Sequence, residues 1–346
     1  MTTPSITDGT GGEDHRVVDQ ESPGRQDAPG APATALSMRG VGKRFGQEWV
    51  MRGLDLDVPD GTILGLIGPS GCGKTTTVRL ATGVLLPDEG EVHVHGRPPH
   101  LLDGSERGRI GYLPQEPVLF DELSLWENLT FHASLSGVRF RRRRHLRRLL
   151  DLVELGGDRR KLVRQASGGM KRRLALAAAL VHDPTFILLD EPTAGIDPVL
   201  RRTFWEHFRS LRDEGRSLII TTQYVGEAAD CDVVALLAGG NVVALGGPEE
   251  LRRQAVGGEL LAIETDRPAD TATLAELRSN PSVERITTIG PVRLEILVDD
   301  GGSALPLVTA RLEADGLRIV DSEEVVPSFD EVFIRLVGED EPEITS

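Results

Sequence analysis

The chain has 346 residues, long enough for two or three domains with cores of their own. Its formal charge of −15, from 54 acidic and 39 basic residues, argues against a general grip on nucleic acid. Two cysteines, Cys72 and Cys231, suit a reducing compartment; with no secretion-type leader and no apolar run near the roughly 20 residues of a membrane helix, a soluble chain is expected.

Residues 1–34 are rich in Gly, Pro, Asp, Glu, Ser and Thr and bury too little to offset chain entropy, so they are expected to form a disordered tail. The pattern changes near Leu36. "LDLDVPDG" (54–61) alternates Leu54, Leu56 and Val58 as a half-buried strand, and "TILGLIG" (62–68) is a more continuous apolar strand. "GPSGCGKTT" (68–76) then matches G-x-x-x-x-G-K-[ST] between a predicted strand and a predicted helix. Gly68, Gly71 and Gly73 let the backbone wrap a phosphate, with Pro69, Ser70, Cys72 and Thr76 completing the loop. Its N–H groups and the helix start face the anion. Lys74 would reach the β- and γ-phosphates of a nucleotide, and Thr75 would offer its hydroxyl to Mg²⁺. Cys72 is either an inert filler or a thiol whose modification blocks nucleotide.

"EVHVHG" (91–96) alternates again. From about Ser124 to Leu180 the composition turns helical, a helical insertion drawn at about 117–182. Within it, "RFRRRRHLRRLLDL" (139–152) puts Leu146, Leu149, Leu150 and the following Val153 on one helical stripe opposite the arginines. That arginine face is either simply solvated or turned to anionic lipid headgroups or an acidic partner loop. "ASGGMKRR" (166–173) opens another helix with Ser167, Gly168 and Gly169, a second anion-binding arrangement. "FILLDEP" (186–192) delivers Asp190 at the end of a buried strand to hold Mg²⁺. Glu191, next along, is placed to polarise an attacking water as general base. "SLIITT" (217–222) is a further buried strand and leads into Gln223.

After Gly257 come strand-like "ELLAIET", helix-like "TATLAELRSN", strands "VERITTIG" and "VRLEILVD", and helix-like "ALPLVTARLEADG". In the closing "PSFDEVFIRLVG" (327–338), Phe329, Val332, Phe333 and Leu336 share one helix face, with Gly338 as a stop. The whole predicts an α/β fold with a mainly parallel core over 35–255, a P-loop NTPase with a helical insertion, followed by a small α+β domain over 257–340.

Ala166-Ser167-Gly168-Gly169-Met170 is similar to the signature motif Leu-Ser-Gly-Gly-Gln. Over about residues 36–250 the chain resembles the nucleotide-binding subunit of an ABC transporter, and Met170 and Thr221-Thr222-Gln223-Tyr224 resemble the daunorubicin-resistance exporter branch. The resemblance implies that Ser167, Gly168 and Gly169 cap the ATP held by a second chain in a two-fold sandwich. It implies that Gln115 touches Mg²⁺ and water, that Phe45 stacks on adenine, and that Asp197 addresses the opposite protomer. Taken alone, Phe45 reads as a core residue and Asp197 as a helix N-cap, and both pairs of readings stay open. The family usually has histidine where this chain has Gln223, which can donate to the γ-phosphate but never carry charge. A slower yet active ATPase is expected, without a histidine-like titration near pH 6.5.

The expected function is an ATP-binding and ATP-hydrolysing subunit, with Mg²⁺, that powers export of a drug, lipid or secondary metabolite. It would work as a homodimer at the cytoplasmic face of the membrane, through a separate integral-membrane permease and without nucleic acid. The closing segment resembles the accessory tail of that branch, regulatory or dimer-supporting. The alternatives are a soluble ABC ATPase acting on ribosome or DNA, and a kinase-like P-loop enzyme with no use for "SGGM".

Overall fold

The computed structural model describes residues 33–138 and 142–338. The expected tail lies outside these except for Ala33 and Thr34, and Thr34 already pairs with Pro59 at the start of the first strand. Strands β1 (Thr34–Phe45) and β2 (Glu48–Pro59) form an antiparallel hairpin. β3 (Ile63–Ile67) follows, then α1 (Lys74–Ala81) and β4 (Glu89–Val94), which pairs with β1 to complete a small sheet ordered β2-β1-β4. A one-turn helix α2 (Gly104–Arg107) precedes β5 (Ile110–Leu113).

The helical insertion carries α3 (Leu125–Leu135), α4 (Arg142–Leu152) and α5 (Gly168–Ala179). α3 starts where it does because Ser124 and Glu127 form a reciprocal capping box. α4 buries Leu146, Leu149 and Leu150, and Val153 just beyond it is buried too, the stripe read from the sequence. β6 (Phe186–Asp190), α6 (Pro198–Asp213), β7 (Ser217–Thr222), β8 (Val233–Ala238), β9 (Asn241–Gly246) and α7 (Pro248–Val256) complete this part. Its main sheet runs β5-β6-β7-β3-β8-β9, parallel except for β9. β3, β6 and β7 are buried along their whole length because both faces are covered. Ile63, Ile67, Ile187 and Leu189 join a core beneath α3 to α6, while Leu64, Leu66, Phe186 and Leu188 join a second core beneath the small sheet and α1.

The remainder is α+β: β10 (Glu259–Thr265), α8 (Thr271–Arg278), β11 (Val283–Ile289), β12 (Arg293–Val298), α9 (Gly301–Ala314), β13 (Ile319–Val325) and α10 (Phe329–Gly338). Its antiparallel sheet, ordered β11-β12-β10-β13, and helices α8 and α9 share a core that includes Ile296, Leu277 and Val308. α10 does not join that core: Phe329 and Val332 are buried in the α/β core, with Phe333 and Leu336 packed against it. α10 runs through Gly338, the last described residue. No helix among the described residues is long and apolar enough to cross a membrane.

Candidate nucleotide site

The site lies where β3, β6 and β7 end. Parallel strands point their C-terminal ends the same way, so the loops that follow share one edge. The loop 68–73 turns tightly there, with Gly71 at φ 83° and Gly73 at φ 109°, conformations that disfavour any side chain. A Cβ on Gly68 would lie 2.2 Å from the Leu237 carbonyl oxygen, so close approach also demands glycine. A hollow of about 260 Å³ opens on this edge, lined by Ser70, Gly71, Gly73, Lys74, Thr75 and Thr76 from the loop and α1, by Gln115 and Glu191, and by Val50 of β2. Lys74 is buried, and its Nζ donates to the carbonyls of Gly68 (2.8 Å) and Pro69 (2.9 Å).

Cys72 does not line the hollow. Its side chain belongs to the core beneath the small sheet, and burial pushes its thiol above the ordinary value while Lys74 pulls the other way. Its contribution to an anion is thus limited to its backbone, and the filler reading fits better than the reactive one.

Asp190 is fully buried. Its Oδ1 accepts from the hydroxyls of Thr221 (2.6 Å) and Thr75 (3.2 Å), while Oδ2 is buried without a partner among the described residues. Glu191 takes a left-handed backbone, φ 52°, rare for a residue with a side chain. Its N–H donates to Thr221 Oγ1 (2.9 Å) and to the Thr221 carbonyl (3.1 Å). The amide of Gln223 donates to Glu191 Oε1 at 2.7 Å. Gln223 is thus held on the carboxylate proposed as base and is not among the groups that line the hollow.

Arg172 was not singled out in the sequence, and it ties the site together. One end of its buried guanidinium donates to the carbonyls of Pro114 (2.9 Å) and Gln115 (2.6 Å), and the other to the carbonyls of Asp190 and Glu191 (2.7 Å to the latter). Burial lowers its pKa and the Asp190 and Glu191 charges raise it. The helical period held the signal: Arg172 shares its face with buried Ala175, Leu176 and Ala179 and is itself buried, unlike its half-buried neighbours Lys171 and Arg173. The sequence places Thr221 in a strand and in the Thr-Thr-Gln-Tyr string, and neither reveals its bonds to Asp190 and Glu191. Nothing in the sequence pointed to Val50.

The other expected residues lie outside this hollow. Ser167 caps α5, its hydroxyl accepting from the Met170 N–H at 3.3 Å. Ser167 and Gly168 are exposed and Gly169 is half-buried. Asp197 caps α6, its Oδ1 accepting from the N–H groups of Val199 and Leu200, each at 3.1 Å. Phe45 ends β1 with 48 % of its surface exposed, which removes the core reading, and Lys43 Nζ lies 5.8 Å from its ring centre.

Residues 51–194 match the ABC transporter family model, and residues 246–337 match the model for the C-terminal domain of DrrA1-3-like ATP-binding proteins. The daunorubicin resistance ATP-binding protein DrrA3 of Streptomyces coeruleorubidus is 37% identical over 89% of this chain and 97% of that protein. The Nod factor export ATP-binding protein I of Rhizobium sp. (strain N33) is 35% identical over 88% of this chain and 97% of that protein. Among solved structures, the ATP-binding subunit of an ABC transporter superposes with a TM-score of 0.59 at 27% identity, over 64% of this chain and 93% of that one. A dimeric ATP-binding cassette in a post-hydrolysis state, bound to ADP and Pi, gives 0.57 at 26% identity, over 61% of this chain and 98% of that one. With its phosphate loop and acidic pair in this arrangement, the chain belongs to the ATP-binding, ATP-hydrolysing subunits of ABC transporters, in the daunorubicin-resistance-type branch.

Proposed function

We propose that the chain powers export of a small molecule, such as a drug, lipid or secondary metabolite, through a separate integral-membrane permease. It works as a pair of identical chains at the cytoplasmic face of the membrane. The observation that carries this reading is the gathering of Lys74, Thr75, Gln115, Glu191 and, through Glu191, Gln223 at one sheet edge. The relatives named for daunorubicin resistance and for Nod factor export supply the direction. The motor occupies 35–255 and the accessory domain 257–340, the last two residues of which lie outside the described residues.

In this reading the loop N–H groups from Ser70 to Thr76 and the Lys74 ammonium hold the triphosphate of one ATP. Ser167, Gly168 and Gly169 of the second chain cap it, with Asp197 beside them. The exposed ring of Phe45 offers adenine a flat face. The buried orphan oxygen of Asp190 and the Thr75 hydroxyl beside its other oxygen fit a small, hard, oxygen-seeking cation, with Gln115 lining the same hollow. When bound, Mg²⁺ there would supply charge neutralisation for the phosphates. Glu191 takes a proton from a water whose oxygen bonds to the γ-phosphorus. The bond from that phosphorus to the bridging oxygen breaks, leaving ADP and phosphate. Gln115 opens the loop into the helical insertion, where exposed Val118, Phe120, Phe131 and Leu135 offer the permease an apolar seat.

Glu191→Gln tests the reading. It should lower ATP turnover by roughly a hundredfold or more while retaining ATP, and trap an ATP-dependent dimer, measured by light scattering, that the added change Ser167→Arg abolishes. A variant that stays monomeric with saturating ATP would overturn the shared-nucleotide arrangement.

A further inference from the structure

We propose that the helical insertion carries a second anion site, separate from the nucleotide hollow, that takes the phosphate headgroup of an anionic membrane lipid. A hollow of about 400 Å³ is bounded by Trp126 and Glu127 of α3, Arg143 and Arg147 of α4, and Arg159 and Arg160 of the loop after α4. That volume lies in the range of small-ligand sites rather than of peptide grooves.

The frame is rigid. The Arg159 carbonyl accepts from the Trp126 N–H at 3.0 Å and the Lys161 carbonyl from the Leu125 N–H at 3.0 Å, so the loop is pinned to the start of α3. Arg143 and Arg147 are one turn apart on the exposed face of a helix whose other face is core. Neighbouring basic groups have acidic partners: Arg164 with Glu122 (3.2 Å), Lys171 with Asp121 (3.0 Å), Arg173 with Glu154 (3.6 Å). The four guanidinium groups of the hollow have none among the described residues. The one carboxylate in its wall, Glu127, is engaged by the Ser124 N–H (2.8 Å) and hydroxyl (2.7 Å).

Four like charges around one hollow, in a chain of net charge −15, repel one another unless an anion enters. Guanidinium forks match phosphate oxygens two at a time, and an indole beside them suits the boundary between headgroup and water. This site deepens the membrane-facing placement proposed above. Its test needs no permease, so its failure leaves the ATPase reading standing.

The test uses the full chain and sedimentation with phosphatidylcholine vesicles, with and without phosphatidylglycerol. Capture should require phosphatidylglycerol and fall with salt. R143Q/R147Q/R159Q/R160Q should weaken it at least about tenfold with ATP turnover unchanged. R144Q/R148Q removes equal charge from the same helix outside the hollow and should weaken capture less than R143Q/R147Q. Equal losses from those two pairs, or undiminished capture by the fourfold variant, would overturn the site. Arginine-dependent quenching of Trp126 by inorganic phosphate without vesicle capture would overturn the lipid assignment. Arginine-dependent binding of polyglutamate alone would overturn it in favour of an acidic protein.

Discussion

Glu191 is held in a backbone conformation that costs a residue with a side chain on the order of 1 kcal/mol. Its surroundings fix it there: Thr221 takes its N–H, Arg172 takes its carbonyl, and Gln223 takes its carboxylate. Strain so over-determined aims the carboxylate at the hollow, and Gln223 is the one of these partners that touches the reacting group. A hydrogen bond to a charged group contributes about 1.5 kcal/mol, so Gln223→Ala should cut kcat by roughly tenfold. Glutamine does not titrate, so the natural chain should show no inflection in turnover near pH 6.5. Gln223→His should create one at or above about 6.5, because the adjacent carboxylate favours the imidazolium. Turnover against pH for the three proteins checks this; a histidine-like inflection in the natural chain that Gln223→Ala abolishes would contradict it. The motif spacing made the loop and the acidic pair legible, since phosphate binding demands those residue types in that order. The bond from Gln223 to Glu191 was not legible, because it depends on a backbone torsion that no spacing encodes.

At the scale of elements, α5 links two ends of the chemistry. It begins at Ser167, the group proposed to meet the partner's nucleotide, and one turn on it presents Arg172 to the loop of Gln115 and the end of β6. Arg172 is a positioning residue: it reaches carbonyls on both sides of the site and no group that reacts. Arg172→Lys keeps the charge but not the two-ended fork. It should lower kcat by roughly a hundredfold with KM for ATP changed by less than about threefold. Steady-state kinetics beside a thermal melt decide the point, since a merely structural arginine would lower Tm and active fraction and leave kcat per folded molecule intact. The elements and bounds that the sequence does not give differ in their causes. β13 is an edge strand, "IVDSEEV", paired only with β10 and largely exposed, so backbone bonds hold it with no apolar alternation to betray it. α9 is legible from its apolar pattern, but it starts three residues earlier, at Gly301, because Asp300 caps it through the Gly302 N–H (3.1 Å) where glycines argue against helix. β8 and β9 carry a local signal, since Gly239-Gly240 between two apolar runs favours a hairpin.

For the whole molecule, the decisive contact is α10, which leaves its own α+β neighbours and docks on the α/β core. Phe329 is buried there with the Arg252 guanidinium 4.3 Å from its ring centre, so one side chain of the last helix packs against α7. α10 also packs against residues 225–230, the turn that directly follows Gln223 and Tyr224. The chain therefore closes on itself, and the part most remote in sequence braces the segment that carries the group bonded to Glu191. Phe→Ala at a buried site costs about 3 kcal/mol, most of what a single small docking surface can contribute. Phe329→Ala should therefore split thermal unfolding into two transitions, the first belonging to residues beyond 257, and expose the link near Gly257 to limited proteolysis. ATP turnover should fall only by about twofold, because the site's own hydrogen bonds stay in place. A single transition at the natural midpoint would mean that the two parts fold independently of α10, and the brace would have to be assigned to the contacts of β10 with α7 instead.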